Sequence, residues 1–227
     1  MLACLQTMRP LLVVPAFLLA SFALAQDPLQ ITPGDHKLEL ENTWVRVFRV
    51  KQLPRAKSPL HQHPESVIVY LTDAHQRVTY AGGRSREITH KSGDVAYSEA
   101  ATQTEENLSD QPLEMAVVEL KPARIHATPA ALDPVKLDPE HHLVPLENDR
   151  VRVLRTILEP HLKSPMHEHP AYVVVYLTEL HTTMKLGDGR VVDNPRRPGE
   201  IDWRNPLKHE TENIGEHTAV EIQIELK

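Results

Sequence analysis

"KSPLHQHPESVIVYLTDAH" occupies residues 57–75, and "KSPMHEHPAYVVVYLTELH" occupies residues 163–181. The chain therefore writes Lys-Ser-Pro-x-His-x-His-Pro twice, each time just before an apolar run, and the two copies stand 106 residues apart. The offset extends outward from these segments without a gap. Glu41-Asn42 falls on Glu147-Asn148, Gly93 on Gly199, Asn107 on Asn213 and Leu120-Lys121 on Leu226-Lys227, with 27 identities over the 81 pairs that begin at Glu41. Such a match is a duplication. Pro33 and His36 also fall on Pro139 and His142, so the units are read as residues 33–121 and 139–227. The Pro- and Ala-rich stretch 122–138 between them reads as a linker.

Within each unit short β-rich runs alternate with turn signals: "WVRVFRV" and "RVRVLRT", "SVIVYLT" and "YVVVYLT", "EMAVVEL" and "AVEIQIEL". No long segment has the 3.6-residue period of a helix. The spacing predicts an all-β fold, one small antiparallel sandwich or barrel per unit. In "VRVFR" and "VRVLR" apolar and basic residues alternate, which predicts one buried and one wet face. "VIVYL" and "VVVYL" are apolar on both sides. These strands are expected to be covered twice, the second time by the other repeat.

The start of the chain addresses compartment. Arg9 precedes an almost wholly apolar run of about 14 residues that ends in Ala23-Leu24-Ala25. This reads as a signal peptide, residues 1–25, cleaved after Ala25. The run is short of the roughly 20 residues of a membrane span, and Pro15 lies inside it, so a secreted or periplasmic protein with no membrane span is expected. Cys4 is the only cysteine, so the mature chain has no disulfide, thiolate nucleophile or sulfur ligand. The 25 Lys and Arg stand against 31 Asp and Glu, a charge of −6, and loss of Arg9 makes it −7. That sign argues against nucleic acid and anionic membrane as partners. A homodimer stays open.

His-x-His on a strand points both imidazoles to one face, about 7 Å apart, because side chains alternate with period two. A single such pair is usually just polar surface. Two in register, each set between prolines, read as paired metal ligands. In "GEIDWRNPLKHETEN" a third histidine, His209, follows Gly199 by ten residues and precedes Asn213 by four. With these motifs in order, the chain resembles the cupin superfamily. The resemblance implies two tandem antiparallel jelly-roll β-barrels with a divalent metal inside; since only the second unit has the third histidine, one ion per chain is expected, of iron, manganese, zinc, nickel or copper.

The departures from the cupin pattern carry as much as the matches. The glutamate expected four residues after the second histidine is Val67 in one unit and Val173 in the other. The second unit is left with three neutral ligands, His167, His169 and His209. A trio of imidazoles leaves the metal's charge uncompensated and a position open, which suits an anionic ligand. In the first unit the position of His209 is taken by Gln103, so His61, His63 and Gln103 form the weaker set and that unit is expected to be scaffold. His75 and His181 read as wet strand ends, and Tyr70 and Tyr176, one residue out of phase with the ligands, as interface. Two functions fit: a metalloenzyme of dioxygenase or isomerase type acting on a small anionic or oxygenated substrate at the three-histidine site, or a cupin that binds a metal or small-molecule ligand without turnover.

Overall fold

A computed structural model of the chain describes residues 28–32, 34–125 and 130–227. The expected signal segment lies outside them, as does Pro33. Nine strands of the first unit are β1 (His36–Glu41), β2 (Val45–Gln52), β3 (His61–His63), β4 (Ser66–Tyr70), β5 (Ala74–Tyr80), β6 (Ser85–His90), β7 (Val95–Ser98), β8 (Ala101–Asn107) and β9 (Leu113–Leu120). The second unit repeats each of them 106 residues later: β10 (His142–Glu147), β11 (Val151–Leu158), β12 (His167–His169), β13 (Tyr172–Tyr176), β14 (Leu180–Leu186), β15 (Val191–Arg196), β16 (Ile201–Arg204), β17 (Leu207–Asn213) and β18 (Ala219–Leu226). Each unit is an antiparallel barrel of two sheets. In the first the five-stranded sheet runs β1-β2-β9-β4-β7 and the four-stranded sheet β3-β8-β5-β6; the second copies both orders. No helix among the described residues is long and apolar enough to cross a membrane.

The double cover expected for "VIVYL" and "VVVYL" is present. Val67 and Val69 on β4 and Val173 and Val175 on β13 are fully buried in one shared cluster that also takes in Val45 and Val151. The outer faces of the two five-stranded sheets thus pack on each other. At the edge of this interface Trp44 stacks on Trp203, ring centroids 5.5 Å apart. The arginines of "VRVFR" and "VRVLR" do not meet open water. Arg49 donates to the carbonyl of Gly199 and Arg155 to that of Gly93, each reaching into the other unit.

Tyr70 and Tyr176 correct the phase argument. Both lie inside their barrels, 1% and 2% exposed, among Phe48 and Met115 in one unit and Leu158 and Tyr172 in the other. The prolines and turn after His-x-His carry the chain from the four-stranded to the five-stranded sheet, so alternation counted across that break no longer tells inside from outside. The stretch read as linker is also more than a tether. Its described C-terminal part carries a one-turn helix, α2 (Pro134–Leu137), capped by Asp133. Before it, the Leu132 carbonyl accepts from the backbone N–H of Glu168 at 2.9 Å. This docks the segment on the edge of β12.

Candidate metal centres

The repeated Ser-Pro explains itself once the strands are placed. Ser164 donates its N–H to the Thr211 carbonyl at 2.8 Å and its hydroxyl accepts from the Thr211 N–H at 3.1 Å, which ties the entering loop to β17. The Pro165 carbonyl, one residue on, lies 2.7 Å from His167 Nδ1. In the first unit Ser58 binds Glu105 in the same way, and the Pro59 carbonyl lies 2.8 Å from His61 Nδ1. A carbonyl can only accept, so both rings are fixed with the proton on Nδ1 and an unprotonated Nε2.

In the second unit His167 pairs in register with His209 across β12 and β17, and a ligand atom from each of His167, His169 and His209 lies within 4.8 Å of the others. Each ring has its Nδ1 occupied: His169 by the Glu225 carboxylate at 2.7 Å and His209 by the Thr211 hydroxyl at 2.9 Å. The Nε2 atoms of His169 and His209 are buried and have no hydrogen-bond partner. Burial lowers the pKa of all three rings, with the neighbouring imidazoles adding to this in His169 and His209. Neutral, oriented and unpartnered nitrogens are what a divalent metal requires, so this donor set fits one. A fourth imidazole, His142, packs edge-on to His167 with ring centroids 5.1 Å apart.

In the first unit His61 and His63 bring their Nε2 atoms to 2.6 Å. Here the third donor is Glu105, its Oε1 3.5 Å from His63 Nε2. Gln103 stands opposite His61 in register but turns its amide onto the Glu105 carboxylate at 2.9 Å, holding that group rather than joining it. Burial pushes the Glu105 carboxyl up, but His63 and His61 more than offset this and hold it down at about 2. The cluster is two histidines and a carboxylate, a set that also fits a divalent metal. Glu105 lies two residues beyond Gln103 on β8, hence on the same face. Period-two alternation counted on from Gln103 marks it in the sequence.

Val67 and Val173, where the cupin pattern has its glutamate, face the other unit rather than the barrel interior. A carboxylate there would not reach either cluster. Asn107 and Asn213 are fully buried and serve the turns: Asn213 Nδ2 donates to the carbonyls of Leu158 and His217 at 2.9 and 2.8 Å. His75 and His181 are half-exposed, and their Nε2 atoms lie against the Glu87 and Asp193 carboxylates.

No family model and no curated protein matches the chain. Solved structures do. AerE from Microcystis aeruginosa superposes with a TM-score of 0.61 at 13% identity, covering 85% of this chain and 97% of its own. The Cupin 2 conserved barrel domain protein from Leptotrichia buccalis gives 0.51 at 9% identity over 85% and 88%. The fold is that of a bicupin. A third bicupin-like match is Lactobacillus farciminis oxalate decarboxylase in its formate complex, at 0.57 and 12% identity over 85% of this chain and 84% of that one. At such identities the likeness concerns the bicupin fold alone.

The two bicupin barrels differ in what fills them. A cavity of about 390 Å³ lies in the first, reached by His63 and Glu105 and walled by Ile68, Val78, Met115 and Val117. Ser66 and Ser98, paired in register, both line it. Their counterparts are Tyr172 and Arg204, also paired in register. Tyr172 is 3% exposed and lies against His169, ring centroids 5.1 Å apart, while Arg204 donates to the Tyr176 hydroxyl at 3.1 Å. The barrel expected to be scaffold therefore has the open chamber, and in the one expected to be active the same place is taken by side chains.

Proposed function

We propose that this chain is an exported metal-dependent bicupin enzyme whose reaction takes place in the first barrel, at His61, His63 and Glu105, while His167, His169 and His209 hold a second metal that braces the fold. The observation that carries this reading is the Ser66/Ser98 pair, which leaves a chamber beside two histidines and a carboxylate where the second unit has Tyr172 and Arg204. A divalent metal there would polarise a bound oxygen atom of the substrate as a Lewis acid. The chain's own residues do the rest. The carbonyl of Pro59 orients His61, the Gln103 amide orients Glu105, and the apolar wall excludes water. An exported location rests on the apolar run before Ala25.

Turnover separates this from its rival. Metal-replete protein is offered a panel of small organic acids and enolisable carbonyl compounds, with and without dioxygen, beside Glu105→Gln and His167→Ala. Turnover abolished by Glu105→Gln and persisting in whatever His167→Ala protein remains folded supports the reading; turnover lost only with His167→Ala returns the reaction to the second barrel. A binding protein without turnover is favoured by one feature: apart from the donors, the chamber's imidazoles, His36 and His90, are already engaged, by Thr32 at 2.8 Å and by Asp94 at 3.6 Å.

A further inference from the structure

The two barrels are built to one plan, so each difference between them is informative. Besides Ser66 and Ser98, the seam where the edge strands of the two sheets face each other is changed. In the second unit β15 and β16 are latched across it: Arg196 pairs with Asp202 at 2.9 Å, and Arg204 donates to the Asn194 side chain at 3.1 Å. At the same places β6 and β7 have His90 facing Ala96 and Ile88 facing Ser98. Neither pair can form an ion pair, so the arginine latch is absent from the first unit, where His90 instead stacks on Tyr70 with ring centroids 4.2 Å apart. The half-exposed Ile88 and Ser98 both border the cavity, which makes this seam its mouth.

The chamber's chemistry has shifted with its access. Glu221 and Gln223, which bring polar groups into the second barrel, are replaced by Met115 and Val117, and Asn194 by Ile88. One end of the cavity therefore bears His63 and Glu105, and the wall beyond them offers the apolar surface of Ile68, Ile88, Met115 and Val117, with Arg86, Thr89 and His90 of β6 at its border. A wholly polar two-carbon diacid would leave the apolar wall unused. A cavity of about 390 Å³ sits at the lower end of the range for small-molecule sites, roughly 300–1,000 Å³, and has room for a ring.

Resting on the reading above that the first barrel holds the reactive metal, we propose that its substrate is a mainly apolar, ring-sized molecule with a single oxygen-donor head, a carboxylate or an enolic pair of oxygens. It enters between β6 and β7, places the head at His61, His63 and Glu105, and lays its body on Ile68, Ile88, Met115 and Val117. The missing latch is the admission device.

The test holds the head constant and varies the body. Full-length metal-loaded protein is titrated calorimetrically with acetohydroxamate, benzohydroxamate and 2-naphthohydroxamate, and metal content is measured before and after. Benzohydroxamate should bind at least tenfold more tightly than acetohydroxamate, which corresponds to roughly 60 Å² of additional apolar burial. Ser66→Tyr with Ser98→Arg, which writes the second barrel's filling into the first, should erase that gain and leave the metal in place. Should this pair fail to fold, Ile88→Asn at the mouth should cut the gain severalfold. Equal affinities for the three probes overturn the substrate class while leaving the metal centre standing. No binding by any probe to protein that retains both metals overturns the open centre itself. A ring preference that survives the blocking substitutions places the ligand elsewhere and sinks the proposal.

Discussion

Arg155 donates from Nη1 to the carbonyl oxygen of Gly93 at 3.0 Å, from one barrel into the turn that precedes β7 of the other. Arg49, its counterpart, does the same to Gly199, so the interface is clasped twice about a pseudo-twofold axis. Gly93 has φ of +88°, and a Cβ there would lie 3.2 Å from Arg155 Nη2 and 3.3 Å from a Leu177 methyl. The turn needs glycine for its backbone conformation and again for the close approach of the guanidinium. Hydrogen bonds to charged groups contribute about 1.5–3 kcal/mol, so Arg155→Ala and Arg49→Ala should each destabilise the protein by about that much. Denaturant unfolding checks this, and the double variant should unfold in two steps as the barrels come apart. A single unshifted transition in both variants would contradict a clasp.

Metal stoichiometry separates the sequence expectation of one ion from the two donor sets found in the fold. Elemental analysis of protein prepared without chelator should give about two equivalents per chain. Glu105→Gln should lower this to about one, and Gln103→Ala should leave it near two, because that amide orients the carboxylate without being a donor. If Gln103→Ala and Glu105→Gln lose metal equally, glutamine is the ligand after all.

Glu225 holds His169 from behind, and Arg152 in turn grips Glu225 at 2.6 Å. Replacing such an outer partner typically lowers metal affinity 10–100-fold. Glu225→Gln should do so at the second-unit centre without touching the first, as read from competition with a coloured chelator. Unchanged affinity would mean that the ring needs no orienting partner.

Glu221 gives the second barrel a pH dependence of its own. Burial raises its carboxyl to about 7, against an ordinary 4.5, despite the opposing amide of Gln223 and the charges of Arg204 and Arg196. The folded chain keeps a proton that the unfolded chain has released, so this residue's contribution to stability falls as pH rises from about 4.5 through about 7, then levels. Glu221→Gln removes the penalty. The melting temperature of the variant minus that of the parent should increase between pH 5 and pH 8; a constant difference would show that the carboxyl titrates normally.

The start of the mature protein is the remaining check. N-terminal sequencing of material from the native source should begin near Gln26, after the Ala23-x-Ala25 pair. A chain that begins at Met1 or Met8 is not exported by that route.

The duplication and the β-rich runs made the architecture legible, because period-two alternation and a gap-free repeat report strand placement directly. His167, His169 and His209 were legible for the same reason, since each lies on a strand whose phase the motif fixes. Glu105 was not, because its counterpart in the second unit is Thr211, so the repeat marks only Gln103 as the place of the third donor. The chamber was hidden more deeply. Ser66 and Ser98 are unremarked residues until the register sets them opposite each other and the repeat supplies Tyr172 and Arg204 for contrast. Their meaning is a property of two pairs, not of any one position.

Placing both halves of a self-complementary pair on one chain also changes what dilution does. Two separate barrels that met through Val67, Val69 and their counterparts would part as the protein thinned out, whereas here each half sees the other at an effective concentration set by the 122–138 segment and by nothing outside the molecule. The melting temperature should therefore be the same at nanomolar as at micromolar levels. Any association of whole chains must use a surface other than the one that joins the barrels.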